Sequence, residues 1–220
     1  MKCTGVAFVL ALAPLTACAS ESAQNATDVP VYAVFTELGT SNLAMRAGSN
    51  VRVMKMANVS RPDLIAYDTT SGVLTLRRGV YRIAGYSITT FGYKLTQAQE
   101  DSVHSEPGYA YLCNVDSRGV QTLGSMQDPM LSLPSHVDDV IAVPEAARFY
   151  LGHQNGDTIS GVYLQTYWEG FGTNHVFARL VVQRLGDVPA GTPAPAPPPG
   201  EHPCWPVAKA SGPDSVAAPE

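Results

Sequence analysis

The sequence predicts an all-β antiparallel domain, built as a sandwich or barrel. Between residues 31 and 185, short runs of β-branched and aromatic residues, many of them alternating, are punctuated by Gly, Pro, Asn and Asp. No helical stripe of twelve residues interrupts them. Turn signals also recur too often for the crossover helices that a parallel sheet requires.

The expected strands are 31–37, 50–57, 72–76, 80–90, 109–115, 159–169 and 175–185. In the last, Val176, Ala178, Leu180 and Val182 alternate with Phe177, Arg179, Val181 and Gln183, the two-residue period of a strand with a buried face. In 80–90, Tyr81 and Ile83 share one face while Val80, Ala84, Tyr86 and Ile88 share the other. Both faces are apolar, so this strand belongs at the centre of the sheet, covered on both sides. Gly72 and Gly79 mark strand starts, where glycine sets a tight reversal between two paired runs. Residues 144–150 read as one helical turn.

The flanks differ in character. Lys2, an apolar run from Val6 and the closing Leu15-Thr16-Ala17-Cys18 resemble a bacterial lipobox. The run is broken by Pro14 and too short to span about 30 Å of hydrocarbon, so residues 1–17 read as a cleaved lipoprotein signal. Lipidation would fall on Cys18, where several acyl chains, each CH2 contributing about 0.8 kcal/mol, suffice for durable anchoring. An ordinary signal peptide with an incidental Cys18 is the alternative. Ala19 and Ser20 follow the cysteine in place of an aspartate, which by analogy with bacterial sorting favours outer-membrane over inner-membrane delivery. Residues 18–30 form a polar tether, 31–187 the domain, and 188–220 a Pro-rich tail expected to be disordered or extended.

Composition narrows the function. A net charge of -5, with Lys and Arg scattered singly, argues against nucleic acid as a partner. Of the four cysteines, the signal removes Cys3 and lipid consumes Cys18, leaving Cys113 and Cys204 in a compartment that permits disulfides. They can pair and pin the tail to the domain; alternatively Cys113 is a small buried strand residue and Cys204 a free thiol. Ser-hydrolase elbows, zinc helices, Cys-x-x-Cys pairs and phosphate loops are all missing from the sequence, so no catalytic residue, metal or cofactor is assigned. His104, His136 and His153 sit in polar, loop-like contexts and read as surface histidines. Asp138, Asp139 and Glu145 read as a solvated loop rather than a calcium site. Trp168, Glu169 and Phe171 make an aromatic loop at a strand end, the candidate ligand loop; a buried hairpin plug is the bland reading.

Tyr67, Gly72, Leu74, Thr75, Gly79, Val80, Tyr81 and Ile83 fall in an order that resembles the central signature of the tumour necrosis factor and complement q-globular-head superfamily. A second match runs from Gly156-Asp157 through Val162-Tyr163-Leu164 to the strand containing Phe177. Two departures stand out. Residues 158–161 lengthen the path after Asp157, and Leu76-Arg77-Arg78 replaces the usual proline between the two central strands. The resemblance implies a jelly-roll sandwich that assembles as a homotrimer, with loops at one end free for binding, and it makes Tyr81, Tyr86, Tyr163 and Phe177 candidate interface residues. The resulting expectation is an exported, membrane-tethered lipoprotein with a binding or assembly domain for a protein or glycan, and no catalysis. The rival is a carbohydrate-binding or glycan-hydrolysing jelly roll, with Trp168, Glu169, His153 and Asp157 around a cleft.

Overall fold

The computed structural model describes residues 30–46, 48–91, 97–98, 107–128, 131–155, 162–167, 175–193 and 204. Its strands are β1 (Tyr32–Leu38), β2 (Leu43–Ala44), β3 (Gly48–Val51), β4 (Met56–Val59), β5 (Ile65–Tyr67), β6 (Leu74–Ser87), β7 (Thr90–Phe91), β8 (Gly108–Asn114), β9 (Gly119–Gln127), β10 (Ser135–Asn155), β11 (Val162–Gln165) and β12 (Val176–Gly186).

Two long strands organise the architecture. Residues 79–87 of β6 pair with 135–143 of β10, and residues 74–77 pair with 146–149, the register slipping between Val143 and Ala146. Pro144 sits in that slip, where its missing N–H interrupts no ladder bond. The chain therefore turns a corner without ending either strand. The path β4-β1-β12-β6-β10-β8-β9, joined by β3 on β10 and β5 on β6, thus folds over on itself. One layer holds β4, β1, β12 and the halves of β6 and β10 that pair through 79–87; the other holds β5, β8, β9, β3 and the remaining halves.

Every one of these pairings is antiparallel, and the arrangement is a jelly-roll sandwich. Phe35, Ile83, Ile141 and Leu180 from the first layer meet Leu74, Leu112, Phe149 and Leu151 from the second in a single core. The expected central strand is central: β6 lies between β12 and β10.

The two ends of the sandwich differ. At the corner end the chain enters β1, with Arg184 N–H donating to the Val31 carbonyl at 2.9 Å. It leaves β12 there too, since the Arg78 guanidinium donates to the carbonyls of Pro144 (2.6 Å) and Val188 (3.1 Å). At the far end lie Leu38, Ser87 and Val176, with the small β2-β11-β7 sheet beside them.

Three expectations need correction. Residues 144–150 are strand, not a helical turn, because pairing with β6 holds 146–149 extended and buries Phe149. Gly79 makes no reversal: Arg77 and Arg78 stay extended, so β6 runs unbroken through fourteen residues, whereas Gly72 does adopt a left-handed conformation at φ 77°. The expected 50–57 strand splits, β3 ending at Val51 and β4 starting at Met56.

Cys113 and Cys204 form a disulfide, with their Cα atoms 5.9 Å apart, and Cys204 N–H donates to the Arg118 carbonyl at 3.0 Å. The bridge lies over the outer face of β8, beside Tyr111, Tyr150 and Val120. Gly152 makes room there, since a Cβ on it would lie 2.2 Å from the Tyr111 ring.

Candidate functional site

At the far end the core changes from apolar to polar. Inward parity along each strand accounts for this. In β1 the inward set Ala33 and Phe35 continues to Glu37; in β3 and the stretch that follows it, Asn50, Arg52 and Met54 are buried while Val51 and Val53 are half-exposed; in β10 the series Phe149, Leu151 continues to His153 and Asn155.

Arg52 is fully buried and ties four segments together. Its Nε donates to Ser87 Oγ at 2.7 Å, and Nη1 donates to the Leu164 carbonyl at 2.6 Å and to Glu37 Oε1 at 3.5 Å. Nη2 donates to the Ile88 carbonyl. Burial draws the guanidinium pKa down and the Glu37 charge opposes this, so Arg52 stays protonated at neutral pH. Gln165 Nε2 adds a donor to the same Glu37 Oε1. Ser87 Oγ lies 2.8 Å from His153 Nδ1. The same hydroxyl accepts from Arg52 Nε, and His153 Nε2 is buried with no hydrogen-bond partner among the described residues. Burial, and then the charge of Arg52, push His153 well below the ordinary histidine pKa. The imidazole is neutral.

Above this layer opens a cavity of about 430 Å³. Glu37 and Gln165 line it, with Leu38, Leu43, Val51 and Val53 as walls and Lys55 and Thr70 among its other lining residues. Glu37 Oε2 and Gln165 Oε1 have no hydrogen-bond partner among the described residues. Lys55 is exposed; its Nζ donates to the Thr69 carbonyl at 2.6 Å, and it has no carboxylate partner among the described residues.

The residues singled out from sequence fare unequally. Tyr81 is fully buried in the core and Phe177 is buried against His175, so neither presents a face to another subunit. Inward parity decides Tyr81: it faces the core with Ile83. Tyr86 is half-buried, edge-on to His136 with ring centroids 5.8 Å apart, and Tyr163 is half-buried in β11. His153 is not a surface residue; its position as the inward continuation of Phe149 and Leu151 buries it completely.

Asp138 and Asp139 lie in β10 rather than in a loop. Asp138 forms a two-bond pair with Arg82, and Asp139 accepts from Thr122. No cluster of three metal-ligating side chains occurs among the described residues. Trp168, Glu169 and Phe171, Asp157, Cys18 with the signal and tether, and most of the tail lie outside the described residues.

The outer face of the first layer carries a row that sequence reading did not isolate. Val34, Val181 and Ala84 stand side by side across β1, β12 and β6, all half-buried, with exposed Met56 and Val140 in the neighbouring rows.

No protein-family model matches the chain, and no curated protein matches it. Among solved structures, the globular domain of zebrafish complement 1qA protein is similar at 11% identity, covering 72% of this chain and 99% of that one, with a TM-score of 0.44.

Proposed function

We propose that this chain is a non-catalytic bacterial envelope lipoprotein, tethered through an acylated Cys18, whose jelly-roll domain presents its far end for binding. The observation that carries the reading is polarity along the sandwich. The chain enters at Val31 by the corner, while the cavity over Glu37 and Gln165 lies at the opposite end of β1. A seven-residue strand rises about 23 Å, so a tether leaving the corner would hold the cavity away from the lipid surface. A non-catalytic role is supported by the Ser87–His153 pair: both side chains are fully buried, and the hydroxyl is already committed to Arg52 and the imidazole, so neither can meet a substrate.

Self-association, with a trimer as the stoichiometry, would use the outer face of the first layer, where the apolar row Val34, Val181 and Ala84 is bordered by the exposed Arg82–Asp138 pair and Arg179. Growth of the full chain in a bacterial host with an alkyne fatty acid tests the tether. Label and detergent-phase partition should both disappear in Cys18→Ala, and an unlabelled wild-type chain overturns the reading. Light scattering on the chain lacking residues 1–18 tests assembly, and a strictly monomeric species at tens of micromolar refutes it.

A further inference from the structure

We propose that the far end is an acid-opened clasp: a proton taken up by His153 adds a second buried cation to the Arg52 cluster and releases the small β2-β11-β7 sheet, while the main sandwich stays closed. The geometry leaves that proton no compensation. Ser87 Oγ joins the two side chains, 2.7 Å from Arg52 Nε and 2.8 Å from His153 Nδ1. Arg52, Ser87 and His153 are all fully buried, and Glu37 is 2% exposed. Two cations one hydroxyl apart would share a single carboxylate, with no water to screen them.

None of the elements packed around the imidazole supplies a second counterion. β6 offers the neutral Ser87, while the residues paired with His153 are Asn50 of β3 and Ala110 of β8. Asn155, two residues on in β10, is neutral as well. Glu37, at the end of β1, is already the counterion of Arg52 and accepts from Gln165 on the same oxygen. Of the other described histidines, His136 stands exposed against Tyr86 on the outer face, and His175 donates from Nε2 to the Thr166 carbonyl at 2.9 Å. Tyr109 and Tyr111 of β8 lie on its outer face with the disulfide.

The release is local because β11 is tied to the sandwich through this cluster. Arg52 Nη1 donates to the Leu164 carbonyl at 2.6 Å and Gln165 Nε2 donates to Glu37 Oε1, whereas β2 and β7 contribute only two residues each. Residues 79–83 of β6 and 139–143 of β10 pair without using the cluster at all. Burial and the Arg52 charge keep the enclosed imidazole neutral, and on leaving the cluster it regains a pKa near 6.5. The opened form therefore binds a proton that the closed form refuses, and its population rises by up to about 25-fold between about pH 7 and about pH 5.

Hydrogen exchange read by mass spectrometry on the full chain in detergent, corrected for intrinsic rates, measures the opening whether or not Cys18 is acylated. Protection of peptides covering Leu43–Ala44 and Val162–Gln165 should fall about 5- to 25-fold from about pH 7 to about pH 5. It should stay below that of 79–83 and 139–143 at both pH values and be insensitive to low urea, as an opening that exposes little surface requires. His153→Gln should lose most of the fall. Far-end protection that matches the central strands in size and urea dependence makes the opening global and overturns the proposal. So does a wild-type fall below about 5-fold. Both of these results are read on the wild type and hold even where the variant fails to fold. A folded His153→Gln whose far-end protection falls as steeply as the wild type's overturns the proposal as well.

Discussion

Arg52→Met tests the claim that one buried cation holds the far end together. The substitution keeps a long side chain but removes every donor. Glu37, 2% exposed, then stays behind as a buried charge, and breaking a buried pair in this way costs about 3–5 kcal/mol. The carbonyls of Leu164 and Ile88 also lose their guanidinium donors, at about 1 kcal/mol or more apiece. Methionine regains a little by apolar contact, so the net expectation is about 4–6 kcal/mol out of a total stability of about 5–15 kcal/mol. Urea unfolding followed by circular dichroism measures it, and a variant too unstable to fold would agree with the upper figure. The decisive comparison is the double variant Glu37→Met with Arg52→Met. An apolar pair of similar volume removes the uncompensated charge and should restore at least about 2 kcal/mol over Arg52→Met alone. A single-variant cost below about 1 kcal/mol, or a double variant no more stable than the single, would refute the assignment.

His153 gives a pH dependence of definite sign. Its folded pKa lies well below the unfolded value near 6.5, so between the two the unfolded chain binds the extra proton. Its contribution is therefore complete above about pH 6.5 and is lost on acidification, at up to about 1.4 kcal/mol per pH unit. Urea midpoints taken from about pH 7 to about pH 5 should fall more steeply for the wild type than for His153→Gln, and equal slopes would contradict the buried neutral imidazole. For the disulfide, a sequence separation of 91 residues gives a chain-entropy stabilisation of roughly 4–5 kcal/mol. Cys113→Ala with Cys204→Ala should lower the urea midpoint accordingly, and thiol titration of the denatured exported protein should find neither cysteine free. A titratable thiol at both positions would exclude the bridge.

Alternation made some of this legible and hid the rest. β1, β12 and the second half of β6 could be read because each carries a continuous inward set, such as Ala33 and Phe35 or Leu180 and Val182. β9 escaped because it is the last strand of the path and keeps only Val120 and Gln127 buried, so its sequence shows no period. The 144–150 segment misled because Pro, Glu and two alanines favour a helical start, while ladder pairing along β6 overrides local preference. The polar layer was readable in principle. Two-residue parity places Glu37 with Phe35, and Arg52 with Asn50 and Met54, so opposite charges at inward positions of separate strands signalled a buried pair. The disulfide could only be left open from sequence, since pairing depends on where the Pro-rich tail returns to the fold.

The buried pair and the cavity are one construction. Arg52 joins the end of β1 through Glu37, the end of β6 through Ser87 and Ile88, and β11 through Leu164. Two of those segments, the end of β1 and β11, line the cavity together with the β3–β4 connection, through Glu37, Leu38, Gln165, Val53 and Lys55. A small antiparallel sheet of three short strands could not fix that geometry alone, because β2 and β7 contribute two residues each. The ion pair therefore acts less as a source of net stability, for which an apolar pair would serve as well, than as the device that fixes the ends of β1, β6 and β11 against one another. It can do so only at this end. At the corner end, β6 and β10 cross between the layers without interruption, and the fold is held there by the strands themselves. The two ends of the sandwich are thus held by different means, continuous strands at the corner and a buried ion pair at the far end.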